Sequence, residues 1–128
     1  MSLFTRTTAL TAAGALLTAP AVLIAAPAHA DVERHGACGG GWYEFSVDRE
    51  GRGFEVSLDL DRVKPGTKWN VALRHDGKRY FKRTLRADYE GDLDVERYRG
   101  NTQGKDAFKF RVSRVNGSAT CTGKITVS

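Results

Sequence analysis

A chain of 128 residues with two cysteines and a formal charge of +5 has room for one domain and a short leader. A lone cysteine pair gives no Cys-x-x-Cys and no clustered Cys/His set, which excludes the usual redox and zinc frameworks. The charge excess is mild and does not by itself argue for nucleic acid.

Met1-Ser2-Leu3-Phe4-Thr5-Arg6 carries one base, residues 7–28 carry no charged side chain, and Ala28-His29-Ala30 precedes Asp31. A basic start, an apolar middle and a small-x-small exit are the parts of a cleavable export signal. A permanent anchor needs about 20 uninterrupted apolar residues, and Gly14, Pro20 and Pro27 break the run. Residues 1–30 are therefore expected to be removed, leaving a protein that is secreted, extracellular or cell-wall associated, with no membrane insertion after cleavage. Arg6 is the only base lost, so the 20 Lys and Arg become 19 against 15 Asp and Glu.

Cys38 and Cys121 lie near the two ends of the mature chain, and in an exported protein such a pair is expected to form a disulfide. Residues 31–41, ending in Gly39-Gly40-Gly41, are expected to be a flexible leading segment before a domain over 42–128.

Alternation, not helical spacing, runs through that domain. Tyr43, Phe45 and Val47 alternate with Trp42, Glu44, Ser46 and Asp48, and after Arg49-Glu50-Gly51-Arg52-Gly53 the pattern resumes. Phe54, Val56, Leu58 and Leu60 then alternate with Glu55, Ser57, Asp59 and Asp61. Lys64-Pro65-Gly66-Thr67 is a turn. Trp69, Val71 and Leu73 make the inward side of the next strand, and Asp76-Gly77 signals a hairpin into Tyr80 to Arg86. Leu93 and Val95 mark a fifth strand, Phe108, Phe110 and Val112 a sixth. Ala119, Cys121, Ile125 and Val127 share one parity in a seventh, which places Cys121 on its buried side.

Seven short strands at this spacing predict an all-β, two-sheet sandwich with one disulfide. Trp69 on the third strand, with Phe108-x-Phe110-x-Val112 on the sixth, resembles the core of immunoglobulin-like β-sandwich domains, and the Ala/Thr-rich leader and arginine-heavy body resemble the residue usage of small secreted actinobacterial proteins. The cysteines depart from the usual immunoglobulin positions on the second and sixth strands. The resemblance implies that the first, second and fifth strands share one sheet, and the third, sixth and seventh the other.

Side chains alternate across a strand, so each inward set defines an outward one. Glu44, Asp48, Glu55, Asp59, Asp61, Asp92, Asp94 and Glu96 face outward from the first, second and fifth strands. Arg74, Lys109, Arg111 and Lys124 face outward from the third, sixth and seventh. Combined with the topology that the resemblance implies, this predicts one acidic and one basic face. Pairing of the fourth strand with the fifth would instead set Lys78, Lys82 and Arg86 against Asp92, Asp94 and Glu96 across a ladder.

No catalytic set is expected, for His35 and His75 are the only histidines after cleavage and there is no Gly-x-Ser-x-Gly elbow. His75 reads as a hairpin residue. No cofactor and no metal are expected, although Asp88, Glu90, Asp92 and Asp94 are the best calcium candidates. Phe81 interrupts the basic run around Tyr80 as a core residue, so nucleic acid is not expected as a partner. The expected function is non-enzymatic binding by a single chain. The basic face of Arg74, Lys109, Arg111 and Lys124, helped by Tyr80 and Trp42, would contact an anionic cell-wall polymer or an acidic extracellular protein. The alternative is an enzyme inhibitor or toxin-like effector acting through loops such as residues 100–106. A small hydrolase would need a pocket with convergent polar groups.

Overall fold

Apolar–polar alternation makes strands, and every regular element among the described residues (32–128, with Gly14) of this computed structural model is a strand. The export signal expected over residues 1–30 lies outside them, Gly14 aside. In chain order the strands are β1 (Val32–Cys38), β2 (Gly41–Glu50), β3 (Gly53–Asp61), β4 (Lys68–His75), β5 (Lys78–Arg86), β6 (Leu93–Gly100), β7 (Asp106–Arg114) and β8 (Thr120–Val127). They form two antiparallel sheets, β1-β2-β3-β6 and β5-β4-β7-β8.

Among the described residues the strands number eight, not the seven expected, because most of the segment read as a glycine-rich lead is β1. Cys38 pairs with Gly41, so Gly39 and Gly40 are the two central residues of a hairpin. Both have positive φ, 55° and 86°, as the tightest hairpin turns require. A side chain at Gly39 would also meet the Trp69 ring, 2.6 Å from the Cβ position.

The core fills the space between the sheets. Phe45, Val47, Phe54, Val56, Leu58 and Leu60 face Trp69, Val71, Leu73, Phe108, Phe110, Val112 and Ile125, all buried. Rings interdigitate across the gap: Phe45 meets Phe110 at 4.9 Å and Phe54 meets Phe108 at 5.3 Å between centroids. Trp69 keeps its polar edge satisfied by donating from Nε1 to Thr67 Oγ1 at 2.9 Å. The Cys38–Cys121 disulfide, with Cα atoms 5.9 Å apart, ties the end of β1 to β8 and so joins the two sheets.

Two further features depart from the sequence reading. β5 and β6 lie in different sheets, so Lys78, Lys82 and Arg86 do not neutralise Asp92, Asp94 and Glu96 across a ladder. Between β4 and β5 the register slips: Leu73 pairs with Phe81 but Arg74 pairs with Arg79. Tyr80 is the extra residue of this β-bulge, and simple alternation therefore misassigns it.

Candidate anion-binding face

Cross-strand partners point to the same side of a sheet, so the pairing register decides which bases meet. In the β5-β4-β7-β8 sheet Arg79 pairs with Arg74, Arg74 with Lys109, and Lys109 with Lys124. Four cations thus stand in one row across the sheet, at intervals of about 4.8 Å. The next row reads Lys82, Ala72, Arg111 and Thr122. Ala72 is the short side chain between long ones, and a cleft of about 540 Å³ opens over it, lined by Arg74, Arg79, Lys109, Arg111 and Lys124 among others. All four bases read from the sequence as a face line this cleft, and Arg79 joins them through the bulge.

These four strands carry eleven Lys and Arg and a single carboxylate, Asp106. Asp106 is 1% exposed and points inward. No Lys or Arg of this sheet forms an ion pair with a carboxylate among the described residues. Unscreened in water, two like charges about 5 Å apart repel by about 0.8 kcal/mol. A row of four cations therefore carries a standing repulsion, which an anion lying along it relieves.

Tyr80 and Trp42 are not part of the cleft. The bulge turns Tyr80 toward the core edge, where Arg99 stacks over its ring at 4.3 Å. Burial pushes its hydroxyl up to about 12, against the opposing pull of Arg99 and Arg97. Trp42 is exposed but sits on β2 in the opposite sheet, paired with Asp61.

That opposite sheet is the acidic one. Glu44 pairs with Asp59 and Asp59 with Asp94 in one row, and Asp48 pairs with Glu55 in another. Partial burial, then the charges of Asp61, Glu44, Asp94 and Asp92, push the Asp59 carboxyl up to about 6.

His75 is more than the hairpin residue its Asp76-Gly77 neighbours suggest. It is 3% exposed and its ring stacks on Phe108 at 4.3 Å. Arg99 Nε lies 3.3 Å from its Nδ1 and can only donate, which leaves the ring proton on Nε2, facing Asp106 Oδ1 at 2.7 Å. Asp106 Oδ1 also accepts from the Thr102 backbone N–H (3.1 Å) and hydroxyl (2.6 Å). Asp76 accepts from the Ala107 N–H at 2.8 Å. The group pins the β4–β5 hairpin to the loop before β7. Among the described residues, two carboxylate-containing sets bring donor atoms within 4.8 Å of one another, His75 with Asp76 and Asp106, and Asp88 with Glu90 and Asp92. Hydrogen bonds account for the first. In the second, Asp88 Oδ1 accepts from the backbone N–H groups of Glu90 and Asp92, both at 2.9 Å, and so shapes its own loop. Asp94, the fourth calcium candidate, stands apart in the Glu44–Asp59 row.

Compared with known proteins, the chain matches no family model, no curated protein and no solved structure.

Proposed function

We propose that the protein is a secreted, immunoglobulin-like module that works by binding, and that its β5-β4-β7-β8 sheet holds a linear anionic polymer of the cell surface. One observation carries this reading: the Arg79–Arg74–Lys109–Lys124 row, with Arg111 beside it, borders a cleft free of carboxylates. Repeating negative charges along a chain match repeating cations along a row, and each contact removes some of the row's repulsion. The grouping of β2, β3 and β6 against β4, β7 and β8 supports the immunoglobulin-like part. The disulfide is compatible with an oxidising, extracellular setting, and no helix among the described residues is long and apolar enough to cross a membrane.

Retention on purified cell wall tests the proposal, comparing the protein with an Arg74→Glu/Arg111→Glu variant. The protein should be retained at low salt and released at high salt, and the variant should pass through. Equal retention of both at every salt concentration would remove the idea.

A further inference from the structure

We infer that the acidic outer surface of the β1-β2-β3-β6 sheet is a docking surface for the basic outer surface of the β5-β4-β7-β8 sheet of a second copy of this chain. The proposal goes beyond polymer binding and assigns a role to the face which that function leaves idle.

Charge complementarity selects the occupant. The row Glu44–Asp59–Asp94 crosses one sheet and the row Arg74–Lys109–Lys124 crosses the other, each carried on three neighbouring strands. Strands in both sheets repeat at about 4.8 Å, so the two rows match in spacing when one sheet lies on the other. Within the chain the rows cannot meet, because the core separates them.

The acidic sheet also carries what a charge-only surface lacks. Trp42 is 56% exposed beside Asp61, and Tyr98 is 58% exposed beside Glu55. Large aromatic side chains of this kind anchor interfaces, and the cleft over Ala72 offers space for one ring.

Acidic and basic faces lie on opposite sides of one molecule. Docking is therefore head-to-tail, each copy keeps one free face, and the contact extends into a stack unless rotation closes it into a ring. A polyanion on the basic sheet competes with the second copy for the same side chains.

Sedimentation velocity tests this at salt concentrations near 0.01 M, where the screening length is about 30 Å, and near 1 M, where it is about 3 Å. Two neutralised variants accompany the protein: Glu44→Gln/Asp59→Asn/Asp94→Asn on the acidic face and Arg74→Gln/Lys109→Gln/Arg111→Gln on the basic face. The protein should sediment faster as its concentration rises at low salt and as a single chain at high salt. Each variant alone should remain a single chain. An equimolar mixture of the two should give a two-chain species and nothing larger, since one supplies only a basic face and the other only an acidic face. That recovery also shows that both variants fold. A protein that stays single-chain at low salt, variants that associate like the parent, or a mixture that never pairs would each overturn the inference. Cell-wall retention should survive in the acidic-face variant, which separates this outcome from the polymer-binding proposal.

Discussion

Asp106 is the single carboxylate on the strands of the basic sheet, and it faces the core, where three donors converge on one of its oxygens. Burial alone would raise its titration, but the Thr102 hydroxyl, His75 and the Thr102 N–H outweigh burial and hold it below the ordinary 3.8. A carboxyl lowered in this way contributes stability above its unfolded value and loses it as pH falls through the lower folded one. Asp106→Ala should therefore cost about 2–4 kcal/mol at neutral pH, by stranding those donors. Its urea midpoint should also fall less steeply below pH 4 than that of the parent. Asp59 has the opposite sign. Its carboxyl, pushed up from 3.8 to about 6, holds its proton more tightly in the folded chain, so it removes stability as pH rises through that window. Asp59→Asn should raise stability at pH 7 by about 1 kcal/mol, once solvent screening of a half-exposed group is allowed for, and by nothing below pH 4. Thermal melts at both pH values check this.

At the level of the element, the strands carrying Phe54 to Leu60 and Trp69 to Leu73 are legible because every second residue is buried on one side. β1 is not, since it is an edge strand whose side chains are mostly exposed and which therefore has no apolar period to read. Its one signal is local: Gly39-Gly40 at the centre of a two-residue hairpin. Gly39→Ala should cost about 1–3 kcal/mol, because it strains a positive φ and presses on Trp69. Reduction of Cys38–Cys121, which closes a separation of 83 residues, should cost about 4–5 kcal/mol on the chain-entropy estimate. Denaturation with and without reductant measures it. The four bases of the cleft were legible from parity, while Arg79 and Tyr80 were not, because a bulge exchanges their roles and leaves no mark in the alternation. The His75–Asp106 pair was equally hidden, being a contact across 31 positions between residues of unremarkable local pattern.

At the scale of the molecule, sheet pairing sharpens the sorting of charge instead of cancelling it. Acids stand opposite acids from β2 to β6 and bases opposite bases from β5 to β8. Such rows cost stability, which supports the proposal that these faces meet charged groups outside the fold. The most direct measurement is the affinity for linear polyphosphate as a function of salt, for the protein and for Arg74→Gln and Arg111→Gln. Counterion release predicts a steep linear fall of log affinity with log salt, and a slope lower by about 1 for each base removed. A salt-independent affinity, or the same slope in all three proteins, would contradict a binding face built from that row of cations.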